Sequence, residues 1–410
     1  MKKKILLIGY NFHPEPTGIG KYSGEMIYWL ADHGYECTVI TAYPYYPYWK
    51  VQEPYYQDRF KFKTETKEFS SGGKMIIHRC PMYVPQKPSG IKRILLDLSF
   101  LVTASLRLIP LLFSKRNDIV ITVVPSFQIG IIGLLYKKIK SAKFLYHIQD
   151  MQIEAARDLG MIKSDGVINV LFKLEKYIFN QADYVTSISE GMVARIQEKA
   201  QKPVELFPNW TDMSLFFPIE NREKLKEEFG FNRSDKIILY SGAIGEKQGL
   251  EAILHAAKVF SDIKFVICGS GPYKQNLVAM ATDWHLDNVL FFPLQPFEKF
   301  NSFLNIADVH LVIQKANASD LVMPSKLTTI LAVGGLALIT ANKDSGLHSL
   351  VDKYSMGVLV DAENQAALND GIRRALTENT GEITKNARVY AEKYLSIEMI
   401  MRSFEQYALN

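Results

Sequence analysis

Short, continuous apolar runs alternate along the chain with longer stretches in which apolar residues recur every third or fourth position. In the first half the runs are ILLIG (5–9), CTVIT (37–41), MIIHR (75–79), DIVITVV (118–124), KFLYHI (143–148) and YVTSIS (184–189). The periodic stretches predict helices over Gly20 to His33, Ile94 to Phe113, Ile129 to Lys138 and Val167 to Gln181. The second half repeats the alternation with IILYSG (237–242), KFVICG (264–269), VLFFP (289–293), VHLVI (309–313), LALIT (336–340) and GVLVD (357–361). Strands that are apolar on both faces belong in parallel sheets covered by helices on both sides. The pattern therefore predicts an α/β protein of two doubly wound parallel-sheet domains, 1–205 and 206–392, with a closing helix over 393–410. The join lies within Val204 to Glu223, where Pro208, Asn209 and Pro218 break the periodicity.

The length of 410 residues agrees with two cores rather than one. A net charge of +5 suits an anionic ligand or membrane surface and is not the signature of a nucleic-acid binder. The cysteines, Cys37, Cys80 and Cys268, have no metal-ligand spacing, and so odd and sparse a set argues against a disulfide framework and fits a reducing compartment. The apolar run in MKKKILLIGY is too short for a signal-peptide core and reads as a first strand. The segment Ile94 to Phe113 approaches the length of a membrane span, but Asp97, Arg107 and Pro110 interrupt it. On a helical wheel Lys92, Arg93, Asp97, Ser99, Thr103 and Arg107 share an arc that Leu96 and Phe100 interrupt. The plainer reading is a helix packed on the core. The sharper one is a helix dipping into one leaflet, with Lys92, Arg93, Lys115 and Arg116 at lipid phosphates.

Ligands of open parallel sheets bind beyond the carboxyl ends of the strands, so chemistry is sought there. After the first strand comes FHPEPTGIGKYSGEM, with Gly18, Gly20 and Gly24. A dinucleotide fingerprint would place its first glycine directly after the strand and an acidic residue after the second strand. Here the loop is long and the second strand runs into VITAYPYYP, which argues against the nicotinamide-dinucleotide reading. A helix N-terminus reached through small residues still suits a phosphate or a sugar hydroxyl, against the alternative of a tight turn.

In the second half YSGAIGEKQGLE places Gly242, Gly245 and Lys247 between a strand and a helix, and CGSGP ends the next strand with Gly269 and Gly271. NASDLVMPSKLTTILAVGG puts Pro324, Ser325 and Lys326 at the start of a helix. Lysines and free N–H groups of this kind hold a diphosphate without a metal.

These motifs resemble those of the retaining, metal-independent glycosyltransferases of family 4, which have two facing Rossmann-like domains. The resemblance rests on EPTGIG, HIQD, FPNWTD, GAIGEKQGLE, CGSGP and MPSK, and TAYPYYPYW and MPSKLTTILAVGG narrow it toward colanic-acid and exopolysaccharide transferases. It implies a nucleotide-diphosphate sugar on the second domain, with GDP-fucose favoured and UDP-hexoses open, and no cofactor or metal. It implies an acceptor on the first domain, a polyprenyl-diphosphate-linked saccharide at the inner face of the cytoplasmic membrane, and a last helix that crosses back onto that domain. Carried over by position, Lys247 meets the leaving diphosphate, the backbone at Ser325, Lys326 and Leu327 forms the diphosphate loop, Gly18 and Gly20 approach the donor, and Asp150 is the acidic residue after the fifth strand. The chain departs from the family at Ala243, where arginine is common. It departs again between Asp320 and Thr329, which lacks the second glutamate that holds ribose, and at Gln149, where the usual histidine is displaced to His147.

In chemical terms, Lys247 and Lys326 are the candidates for neutralising the departing diphosphate. Asp150 would accept or orient the acceptor proton, and His147 would touch acceptor or donor sugar. Gly242, Gly269, Asp320, Ser325, Leu327 and Thr329 complete the expected donor site. The tract Tyr43, Tyr45, Tyr46, Tyr48 and Trp49 is either an acceptor-stacking surface or a braced, packed loop. Two other readings share the scaffold: a nucleotide-sugar epimerase, and a non-catalytic nucleotide-sugar-binding subunit.

Overall fold

The computed structural model describes residues 2–158, 164–315 and 324–409. The chain forms two compact units, Met1–Pro208 with Met401–Asn410, and Asn209–Ile400.

The first unit contains β1 (Lys4–Ile8), α1 (Gly18–Asp32), β2 (Glu36–Ala42), β3 (Lys63–Glu68), β4 (Lys74–Cys80), α2 (Gly90–Phe113), β5 (Ile119–Val124), α3 (Ile129–Lys140), β6 (Lys143–Ile148), α4 (Gln152–Asp158), α5 (Asp165–Gln181), β7 (Tyr184–Ser187), α6 (Glu190–Ala200) and β8 (Glu205–Leu206). The sheet order is β3-β4-β2-β1-β5-β6-β7-β8. All pairs are parallel except β3–β4, so the all-parallel expectation is corrected at one edge. The central strands are buried along almost their whole length, as continuous apolar runs require. β3 (KTETKE) is exposed nearly throughout, and its charged side chains blunt the edge it forms. Strand order reverses across β1 and β5, so the loops after these two strands flank the point where such sheets bind ligands.

The second unit contains α7 (Arg222–Glu228), β9 (Ile237–Ser241), α8 (Glu251–Val259), β10 (Lys264–Cys268), α9 (Lys274–Asp283), β11 (Val289–Phe292), α10 (Phe297–Asn305), β12 (Val309–Val312), α11 (Ser325–Ala332), β13 (Ala337–Thr340), α12 (Gly346–Tyr354), β14 (Val358–Val360), α13 (Gln365–Thr377) and α14 (Gly381–Tyr394). Its sheet order, β11-β10-β9-β12-β13-β14, is the Rossmann arrangement, reversing across β9 and β12. Alternate strand residues supply two cores. Ile237 and Leu239 join Leu327 on one face, while Ile238 and Tyr240 join Leu254 on the other.

α15 (Ile397–Phe404) carries the chain back to the first unit, and the return begins at Met401. The stretch before it stays with the second unit, where Thr211 N–H donates to Leu395 O at 2.7 Å. In the first unit Phe404 stacks on Phe207 with ring centroids 4.9 Å apart, and Tyr35 Oη donates to Glu405 Oε1 at 2.5 Å.

α2 packs on the first unit, burying Leu96, Phe100, Ala104 and Leu108. Its polar arc faces the protein: Arg107 donates to Thr64 Oγ1 at 2.7 Å, Thr103 to Pro81 O at 2.8 Å, and Gln152 donates to Asp97 Oδ2 at 3.1 Å. Leu96 and Phe100, which interrupt that arc, are buried with it. The apolar stripe faces outward, with Ile94, Leu98, Val102, Leu106 and Ile109 all exposed.

Candidate active site

In the first unit the loop between β1 and α1 is held from below by two buried charges. Glu15 Oε1 accepts from the N–H groups of Tyr45 and Tyr46 at 3.1 and 3.0 Å, and its Oε2 accepts from Asn11 Nδ2 at 2.9 Å. Burial pushes the Glu15 carboxyl up to about 7, with these hydrogen bonds and Arg79 opposing the rise. Arg79 of β4, also buried, donates to His13 O at 2.8 Å, Glu65 Oε2 at 3.3 Å and Ala42 O at 3.4 Å. Neither residue stands out in the sequence, because partners such as Tyr45 for Glu15 and His13 for Arg79 lie 30 and 66 positions away.

The glycines of this loop divide by purpose. A Cβ on Gly20 would stand 2.2 Å from Glu15 Oε2, and one on Gly24 would stand 2.7 Å from His13 Cβ. Both make room for the loop's own side chains. Gly18 has φ +63°, and the nearest atom to a Cβ there is in the Tyr46 ring at 3.5 Å. Of the three, Gly18 alone combines the left-handed backbone with open space, at a helix start whose N-cap, Thr17, makes no side-chain cap hydrogen bond.

His147 lies inside the sheet. Its Nδ1 is 2.8 Å from Thr186 Oγ1, its ring meets Phe207, and burial lowers its pKa to about 3. It packs among core residues of the sheet. Gln149 and Asp150 follow β6. Gln149 is buried and Asp150 exposed. Desolvation by the surrounding protein raises the Asp150 carboxyl above its ordinary value, opposed by the Met151 N–H and Arg93. On α2, Asp97 is raised to about 6 by burial, opposed by Gln152, Tyr10 and Ser126. The aromatic tract splits: Tyr43 and Tyr45 are buried, Tyr46 and Tyr48 are exposed, and the Arg93 guanidinium lies 5.4 Å from the Trp49 ring.

In the second unit the loops after β9 and β10 are joined to each other. Ile244 N–H donates to Ser270 O at 2.9 Å, and Gly242 N–H donates to Cys268 O at 3.0 Å. A Cβ on Gly269 would stand 1.9 Å from Gly242 O, and one on Gly271 would stand 2.0 Å from Ile244 O. These glycines are required by loop-on-loop contact. Gly242 differs, since the atom its missing Cβ leaves room for is Lys326 Nζ, 2.9 Å away. That ammonium rests 3.8 Å from the centroid of the Tyr240 ring, and burial lowers its pKa to about 7. Among the described residues no carboxylate pairs with it.

Lys326 belongs to the first turn of α11, whose N-cap is Pro324. Ser325 opens the helix and is exposed. Leu327 sends its side chain into the core and its N–H to Pro324 O at 2.9 Å, and Thr329 Oγ1 turns back to Lys326 O at 2.9 Å. Lys247 lies in a short 3-10 turn, Glu246–Gln248, fixed by Gly245 N–H donating to Gln248 Oε1 at 3.1 Å. Its side chain and the whole of Asp320 lie outside the described residues. Among the described residues no cluster of three His, Cys, Asp or Glu side chains is placed to hold a metal.

Two doubly wound units, the second with the Rossmann strand order, give the fold, and sequence comparison gives the family. Residues 17–210 match the family "Glycosyl transferase 4-like domain" and residues 221–394 match "Glycosyl transferases group 1". The chain belongs to the family 4 glycosyltransferases of the two-Rossmann-domain kind. It is 40% identical to the putative colanic acid biosynthesis glycosyl transferase WcaI of Escherichia coli (strain K12), over 98% of each chain. A probable glycosyltransferase of Pseudomonas aeruginosa, WbjE, is 22% identical over 60% of this chain and 62% of that protein. Solved structures with the same fold include sucrose-phosphate synthase of Thermosynechococcus elongatus (TM-score 0.76, 17% identity, 99% and 98% of the two chains). Another is HepE of Anabaena in complex with UDP and glucose (TM-score 0.69, 12% identity, 98% of each chain).

Proposed function

We propose that this glycosyltransferase moves a sugar, with retention of configuration and without a metal, from a nucleotide-diphosphate donor to a polyprenyl-diphosphate-linked saccharide. It does so in the cytoplasm at the inner face of the membrane, in assembly of a colanic-acid-like surface polysaccharide. The observation that carries the reading is the Lys326 ammonium, set against Tyr240 beside Gly242 at the strand switch of the second unit. Leaving-group departure breaks the bond from the anomeric carbon to the diphosphate and puts negative charge on that diphosphate. Lys326, the first-turn N–H groups of α11 and Lys247 are the groups proposed to take up that charge. Asp150 receives or orients the proton of the attacking hydroxyl. The carbohydrate named in WcaI's description and the uridine nucleotide bound by HepE support substrates of this chemistry. GDP-fucose leads the donor list and UDP-hexoses follow, and no separate cofactor takes part.

The test is a donor screen on purified protein with a polyprenyl-diphosphate-sugar acceptor, in the presence and absence of EDTA, with the product anomer assigned by NMR. Transfer that survives EDTA and retains configuration is expected. An inverted product, loss of transfer in EDTA, or no transfer from any nucleotide sugar overturns the reading.

A further inference from the structure

The outward stripe of α2 is part of a larger face. Along it Leu98, Val102, Leu106 and Ile109 are 43%, 59%, 53% and 50% exposed. The helix is long and apolar enough to cross a membrane. Its inward arc, however, is bonded to β3, to the loop after β4 and to α4, so it lies on the unit. α3 packs beside it and exposes Leu135 and Ile139, and α5 packs beside α3 and exposes Val170 and Leu174. Lys140 donates to Ser114 O at 2.7 Å just past α2, and Lys138 donates to Tyr177 Oη of α5 at 3.0 Å, fastening the helices together. Isolated exposed leucines are ordinary, but a continuous apolar face marks a binding surface.

Its charge pattern identifies what it binds. α2 and α3 together carry one carboxylate, Asp97, and it is buried. Lys92 and Arg93 stand at one end of α2, Lys115 and Arg116 just past the other, and three lysines occupy the last turn of α3. A second copy of the chain would bring these cations against their own kind in a twofold pair. A layer with an apolar interior and anionic phosphates at its surface meets both features.

We propose that the outer face of α2, α3 and α5 is a docking surface for an anionic lipid bilayer. It lies in one leaflet, with its apolar rows among the acyl chains and its cations at the phosphates. This rests on the lipid-linked acceptor proposed above and fixes where that acceptor arrives. The end of α2 that carries Arg93 lies at Trp49, and Asp97 one turn later holds Gln152, two residues past Asp150. The lipid surface therefore begins beside the strand ends that receive the acceptor.

The test is flotation of the full chain with phosphatidylcholine vesicles, with and without phosphatidylglycerol, at low and high salt. Val102→Glu/Leu106→Glu is measured alongside, with its melting temperature and its transfer to a water-soluble, short-chain acceptor. The wild type is expected to float only with phosphatidylglycerol and to be released by salt. The double variant should lose at least tenfold in partitioning, with melting and soluble transfer unchanged. Equal flotation of both proteins, no flotation of the wild type, or a wild-type dimer that the variant dissociates overturns the proposal. Flotation without transfer from any donor upholds the surface and defeats the function.

Discussion

The ammonium of Lys326 sits over the ring of Tyr240, 3.8 Å from its centroid, in space that Gly242 leaves by having no side chain. Tyr240 and Gly242, far from Lys326 in sequence, thereby shape the pocket in which burial lowers its pKa to about 7. A diphosphate bound beside it would favour the protonated form.

Binding of a nucleoside diphosphate should therefore take up a proton. With the free lysine near pKa 7, calorimetry of UDP or GDP binding at pH 8 in buffers of different ionisation enthalpy should show uptake approaching one proton. Lys326→Met should show none. The linkage to folding runs the same way: between pH 7 and the ordinary lysine value of 10.5 the unfolded chain holds a proton that the folded chain lacks, so this residue's contribution to stability rises with pH across that window.

Lys326→Ala should lower turnover about 10²–10³-fold, the usual loss when one group that stabilises developing charge is removed. Because burial already disfavours the wild-type ammonium, thermal stability should be unchanged or slightly higher. Turnover within twofold of wild type would remove Lys326 from the mechanism.

Glu15→Gln should flatten the pH dependence of stability. The folded carboxyl titrates near 7 and the unfolded one near 4.5, so between these values the folded state holds the extra proton and its advantage falls as pH rises. Denaturant midpoints of wild type and variant from pH 4 to 8 should converge at low pH with respect to this slope. Asp97 has the same sign, so the difference between the two proteins is the quantity to read.

Gly271→Ala should destabilise the chain by about 1–3 kcal/mol and weaken nucleotide binding, since the added carbon would stand 2.0 Å from the carbonyl of Ile244. Gly346→Ala, where nothing lies within 4 Å, serves as the neutral control. Equal melting temperatures for the two variants would contradict the loop-on-loop account.

The strands were legible because burial on both faces writes itself as an unbroken apolar run, as in IVITVV of β5. β3 was not, because an edge strand exposed on both sides can be built from KTETKE. The periodicity of α2 was plain, but its direction was not. Polar partners on β3 and β4, Thr64 and His78 among them, turned Arg107 inward and left Leu98, Val102 and Leu106 exposed. Lys326 could be singled out as a charge at a helix start. Glu15 and Arg79 could not, since a buried ion is identified by partners that only the fold brings near.

The last residues of the chain belong to the first unit, where Phe404 stacks on Phe207 and Glu405 accepts from Tyr35. During synthesis the amino-terminal half therefore emerges from the ribosome well before the piece that finishes it. It must wait, with Phe207 partly uncovered, until the second unit has been made. Expressing the two halves separately at the Pro208 boundary would leave the first permanently short of that piece.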